Sequence, residues 1–196
     1  NLSGVGVYCR EMLAGLARAR PEETFEWCYR PHRWLRSFGV RLPPNVRRRL
    51  LHEPLAPRSA SLFHGLNQRL PRVRLRRAVT TFHDLFVLTG DYSAPEFRRR
   101  FQDQARHAAA HSDVIITVSQ FTAEQVAQCL GVERARLRVI HHGVWLPAKP
   151  AEGPRENIVL HVGAVQRRKN LARLIAAFQQ LGPAWRLVLA LSLIHI

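Results

Sequence analysis

The stretch Val114-Ile115-Ile116-Thr117-Val118 limits what this chain can fold into more than any other. Five β-branched residues in succession disfavour a helix. A run with no polar face fits a strand covered on both sides, as in a parallel sheet. A helical pattern precedes it over residues 96–111, with Phe97, Phe101, Ala105 and Ala108 on one face. A second helix follows: Ser119 opens it, Thr122-x-x-Gln125 can form a capping box, and Gly131 after Leu130 supplies a left-handed stop. Helix, buried strand, helix at these lengths is βαβ grammar.

The same alternation runs along the chain. Gly4-Val5-Gly6 reads as a tight turn feeding an amphipathic helix with Tyr8, Met12, Leu13, Leu16 and Ala17 on its apolar side. Strands are expected at residues 25–29, 62–66, 78–82 and 137–140. Residues 31–58, which hold Pro31, Pro43, Pro44, Pro54 and Pro57, read as loop. Pro147, Pro150, Gly153 and Pro154 mark a linker at 147–156, between a first domain (1–146) and the start of a second (157–190). In the second, a strand at 158–162, a polar loop at 163–169, a helix at 171–181 and a strand at 185–190 are expected. Leu171, Leu174, Ile175 and Phe178 make the inward face of that helix. The fold class is α/β with parallel sheets.

Both ends read as cut. Residue 1 is Asn, and Leu191-Ser192-Leu193-Ile194-His195-Ile196 reads as the in-frame translation of a transposon-type sequencing adapter, so 191–196 are expected to lie outside the fold.

Composition removes several classes. With 46% hydrophobic residues the chain can bury a core, and no apolar run approaches the roughly 20 residues of a spanning helix. Cys9, Cys28 and Cys129 have neither disulfide parity nor zinc-ligand spacing. The net charge of +16 invites a polyanion partner. Yet only Lys149 and Lys169 are lysines, and the arginines lie along most of the chain instead of in one patch. Such an Arg-rich, Lys-poor balance follows from GC-rich coding alone. Nucleic acid is therefore not expected as a partner, while peripheral contact with an anionic membrane stays open.

In parallel sheets ligands bind beyond the carboxyl ends of strands. That rule selects Gly4–Gly6, His83-Asp84, Ser119, Gly143 and the loop from Gly163 to Asn170. Glycines before a helix let amides approach an anion, although Cys9 stands where a dinucleotide fingerprint needs its third glycine. A His beside an Asp after a buried strand can donate to a sugar hydroxyl or steady developing charge. Arg168 and Lys169 can clamp a diphosphate. His107 and His111 share helical i,i+4 spacing without the internal acid of a metalloprotease, and the consecutive His141 and His142 point apart. No metal site is expected.

Taken in order, Gly4-Val5-Gly6-Val7-Tyr8, Leu62-Phe63-His64-Gly65-Leu66-Asn67, Thr80-Thr81-Phe82-His83-Asp84-Leu85, Ile116-Thr117-Val118-Ser119-Gln120-Phe121-Thr122, Val139-Ile140-His141-His142-Gly143-Val144 and Val162-Gly163-Ala164-Val165-Gln166-Arg167-Arg168-Lys169-Asn170-Leu171 resemble the retaining GT-B glycosyltransferases of family 4, or group 1. The resemblance implies two facing Rossmann-like domains with the active site between them: an acceptor-side domain lacking its first strand, then the start of a donor-binding domain. It implies His83, with Asp84 beside it, as the catalytic position near the transferred sugar. Gly4, Gly6, Arg168 and Lys169 would bind the donor diphosphate with no metal or other cofactor. Ser119, Gly143, Gly163 and Asn170 would complete the surroundings.

The implied substrates are a nucleotide-diphosphate sugar and a saccharide or lipid-linked acceptor, in cytoplasmic polysaccharide synthesis of a bacterial type. Gln166-Arg167 departs from the family's usual Glu-Pro, and His142 from its usual Asn. The family's paired acidic motif is not in these residues, so transfer is expected of the parent protein and not of this piece. A GT-B sugar-nucleotide epimerase and a basic nucleic-acid-binding module are the alternatives.

Overall fold

A computed structural model describes residues 4–53, 60–146 and 153–192. The chain divides into two compact units, Asn1–Gly143 and Val144–Ile196. The split falls just ahead of the expected linker, whose residues 147–152 lie outside the described residues.

The first unit opens on α1 (Gly4–Ala19), so the two glycines occupy the first helical turn itself and not the preceding turn expected for them. β1 (Phe25–Tyr29) follows, and then α2 (Pro31–Ser37) and β2 (Val46–Leu50), which pairs parallel to β1. These last two correct the expected loop. Pro31 sits at the first position of α2, where its missing N–H costs nothing, and Pro43 and Pro44 precede β2 without entering it. Ala17, Trp27 and Val46 form the small core here, with Leu13 and Phe25 against it. The Asn45 amide donates to the carbonyls of Ala17 at 3.0 Å, Arg20 at 3.1 Å and Glu23 at 3.1 Å, tying the end of α1 to the start of β2.

A four-stranded parallel sheet carries the rest of the unit, in the order β3 (Phe63–Gly65), β4 (Ala78–Phe82), β5 (Val114–Thr117), β6 (Leu137–Val139). α3 (Phe86–Thr89), a single turn not foreseen from sequence, and α4 (Pro95–His111) join β4 to β5. α5 (Gln120–Leu130) joins β5 to β6. Phe82, Leu85, Phe101, Ala105, Ala108, Ile115 and Val126 lie in its core. Alanines on the inner face of α4 let that helix sit close over the sheet. Phe97 is a correction, being 46% exposed at the first turn of α4, beyond the edge of the buried stripe.

The start of α5 is corrected as well. Ser119, not Thr122, is the cap: its Oγ accepts the Thr122 N–H at 3.1 Å. Gly131 ends α5 at φ 65°, left-handed as expected.

The second unit is one βαβ element: β7 (Ile158–Ala164), a 3-10 turn (Arg167–Lys169), α6 (Leu171–Phe178) and β8 (Arg186–Ser192), with β7 and β8 parallel. Gly163, expected in the loop, is inside β7 opposite Leu191. β8 runs on to Ser192, which corrects the exclusion of Leu191 and Ser192; residues 193–196 lie outside the described residues. Two strands and one helix cannot cover both faces of their sheet. Leu160 and Val162 are accordingly exposed, and so is Ile175, which was expected to face inward.

Candidate functional site

The first turns of α1, strand β3, the carboxyl end of β4 and the segment after β6 bring four aromatic or imidazole side chains together. His83 directly follows β4. Its Nε2–H donates to the Leu66 carbonyl at 3.1 Å, and its own carbonyl accepts from Thr122 Oγ1 at 3.3 Å. The bond to a carbonyl sets the tautomer: Nε2 carries the proton, so the neutral ring offers Nδ1 as an acceptor. Tyr8, one helical turn beyond Gly4, meets the His83 ring edge-on with centroids 4.7 Å apart. His142 stacks on His83 at 5.4 Å and lies 4.9 Å from Tyr8. The His83 imidazole is thus held by a main-chain acceptor and by two rings.

Beneath this cluster, the buried Thr81 hydroxyl lies 3.2 Å from Tyr8 Oη and 2.9 Å from His64 Nε2. Burial raises the Tyr8 phenol, so it remains a neutral hydroxyl. Burial also holds the His64 imidazole down, from 6.5 to about 4. Burial, and then the neighbouring His83, lower His142. The neutral Tyr8 and His142 rings thus bring no competing charge to His83.

The His64 shift has a consequence for stability. The folded chain keeps His64 neutral, whereas the unfolded chain takes up a proton below about pH 6.5. Stability is therefore complete above that pH, falls as the pH drops towards 4, and is flat below. With a partly exposed ring, about 2 kcal/mol is expected across that window. Urea unfolding at several pH values should show His64→Gln losing this part of the slope. An unchanged slope would mean that His64 is not a buried neutral group.

The expected site residues distribute as follows. Gly4 and Gly6 stand at the amino end of α1, one turn from Tyr8, where the helix dipole is positive. Ser119 caps α5, and Thr122, which it orders, reaches the His83 carbonyl. Gly143 directly follows the stacked His142. Asp84 is exposed and makes no ion pair among the described residues. His141 turns away from its neighbour, its Nδ1–H donating to the Val118 carbonyl at 3.2 Å. In the second unit Gly163, Arg168, Lys169 and Asn170 belong to one strand–turn–helix connection, with Asn170 left-handed at φ 50° ahead of α6. Near them His161 Nε2 and Gln166 Oε1 are buried without a partner among the described residues.

Tyr8, His64, Thr81 and His142 were not among the expected site residues. Their one advance signal was a polar or aromatic side chain at a strand end or first helical turn. No group of three or more His, Cys, Asp or Glu with metal-holding geometry occurs among the described residues. Among them, too, no helix is long and apolar enough to cross a membrane.

The family model for Glycosyltransferase Family 4 matches residues 2–146, which include the whole His83 cluster. O-antigen chain mannosyltransferase B of Escherichia coli is 30% identical over 133 residues, 61% of this chain and 35% of that protein. A solved structure of the wall teichoic acid polymerase TagF superposes with a TM-score of 0.52 at 10% identity, covering 96% of this chain and 53% of that one. The second likeness bears on fold alone. The chain spans about a third of the first protein and about half of the second.

Proposed function

This chain belongs to Glycosyltransferase Family 4 and has the α/β fold of the GT-B class, and on that premise we propose that the protein carrying it moves a hexosyl group from a nucleotide-diphosphate sugar to a saccharide or lipid-linked acceptor. Mannose is the first sugar to test, because the similar Escherichia coli protein is a mannosyltransferase of O-antigen chains. Synthesis of a cell-surface polysaccharide in the cytoplasm, at or near a membrane, is the corresponding setting.

The observation that carries the reading is His83, fixed at the end of β4 with Nε2–H committed to the Leu66 carbonyl. In the proposed reaction the bond from the anomeric carbon to the diphosphate oxygen breaks, and the acceptor oxygen bonds to that carbon on the same face. The acceptor proton leaves with the diphosphate. His83 Nδ1 accepts from a hydroxyl of the transferred sugar, positioning the ring as positive charge develops. Amides at the amino end of α1, beginning with Gly4 and Gly6, favour the diphosphate, and Arg168 and Lys169 offset its charge as it departs. No metal or other cofactor takes part. Asp84 lies beside His83 in sequence and serves by adding negative charge near the oxocarbenium-like centre.

The test is transfer from a nucleotide-diphosphate mannose by the protein carrying this chain. His83→Ala should reduce kcat about a hundredfold, with the melting temperature nearly unchanged, since the ring is only half-buried. Full activity of that variant would remove His83 from the mechanism. Residues 1–196 alone are proposed to be inactive, and turnover by them would overturn that part.

A further inference from the structure

A cavity of the first unit shares no residue with the His83 cluster. It measures about 110 Å³ and is lined by Arg30, Glu53, Arg69, Arg72, Gln104 and His107, together with Leu70. Most of that lining also borders a wider cavity of about 410 Å³. Arg30 follows β1, Glu53 lies beyond β2, Arg69 and Arg72 are in the connection from β3 to β4, and His107 is on α4.

Three guanidiniums and one carboxylate give the lining a formal charge of +2. None of the three arginines forms a salt bridge among the described residues. Arg69 Nε is buried with no acceptor. A buried N–H left unmade is costly, and like charges around one space cost more. Burial and the facing Arg30 both pull the Arg69 guanidinium down from its ordinary value, a strain that an anion would relieve. His107 is held low by burial and commits its Nε2–H to the Pro71 carbonyl at 3.4 Å, so it adds no positive charge at neutral pH. The smaller space holds roughly three or four waters at about 30 Å³ each, room for a tetrahedral oxyanion.

We propose that this cavity binds a phosphoryl dianion, with Arg69 and Arg72 as its principal donors and the wider space receiving the group that carries the phosphate. Two uncompensated positive charges match a phosphate monoester, and guanidinium forks suit its paired oxygens. The phosphate can belong to a lipid headgroup or to a free phosphorylated molecule. The site does not rest on the transferase reading.

Calorimetric titration of inorganic phosphate into the 196-residue chain tests it. Arg69→Gln and Arg72→Gln should each weaken binding about tenfold, while Arg134→Gln, at an exposed residue outside the lining, leaves it unchanged. Absence of phosphate binding by the unaltered chain would overturn the proposal. So would equal affinity in the Arg72→Gln chain, or an equal loss in the Arg134→Gln chain. If Arg69→Gln unfolds, the exposed Arg72 carries the test alone.

Flotation with phosphatidylcholine vesicles, with and without phosphatidic acid, separates the two sources. Flotation that needs phosphatidic acid and is lost in Arg72→Gln assigns a lipid headgroup. Phosphate binding that depends on Arg72, without such flotation, assigns a free phosphorylated ligand.

Discussion

Gly65→Ala should destabilise the first unit by about 4 kcal/mol, the high end for an overpacked site. A Cβ at position 65 would stand 2.4 Å from the Arg69 carbonyl oxygen, 3.1 Å from Thr80 Cγ2 and 3.3 Å from the Asn67 carbonyl oxygen. Two of these obstacles are main chain, so no side-chain rotation relieves the clash and the 65–69 bend must open. The melting temperature should fall on the order of 10 °C. Opening that bend also displaces Leu66, whose carbonyl receives the His83 N–H. Loss of stability should therefore come with loss of His83 alignment, visible as a changed imidazole resonance in the fraction that still folds. A melting temperature within a degree of the unaltered chain would show that the bend has room the geometry denies it.

Gly65 also marks the limit of what the sequence discloses. Strands β4 and β5 are legible because short runs rich in β-branched residues leave few alternatives. α4 is legible through Phe101, Ala105 and Ala108 at helical spacing. Those are local signals, and the structure agrees with them. Residues 31–50 are misleading for a local reason: prolines at the first turn of a helix or just before a strand look the same in a sequence as prolines in a loop. The position of His83 after β4 is legible by the strand-end rule. What holds His83 is not, because Tyr8, Leu66, Thr122 and His142 come from four separate segments and meet only through parallel pairing.

The arginines need a similar separation. Some of them serve the main chain. Arg136 reaches the carbonyls of Ala109 and Ser112 where α4 ends, Arg48 those of Ser37 and Val40, and Arg98 that of Gly90. Guanidiniums placed this way satisfy carbonyls left open at helix ends and turns. A net charge of +16 is then partly a structural device, and it says little about a polyanion partner. Arginines around a cavity with no carboxylate or carbonyl bound, as at Arg69, are the informative ones.

The hydroxyl of Thr81 joins the two parts of the His83 cluster, and replacing it should show how strongly. Thr81→Val keeps the shape of the buried side chain and removes the oxygen shared by Tyr8 and His64. No cavity forms, so the expected loss of about 3 kcal/mol comes from two polar groups left without a partner, at about 1–3 kcal/mol each and reduced where water reaches them. Thr81→Ser keeps the oxygen and should cost only about 1 kcal/mol for the lost methyl. Adding His64→Leu to Thr81→Val removes one orphaned nitrogen, so the double variant should be more stable than the two single losses predict when summed. Denaturant unfolding of the four chains measures that coupling. Equal losses in the Ser and Val variants would assign the effect to packing. A hydrogen-bonded floor under Tyr8 would then not be what sets the ring that faces His83.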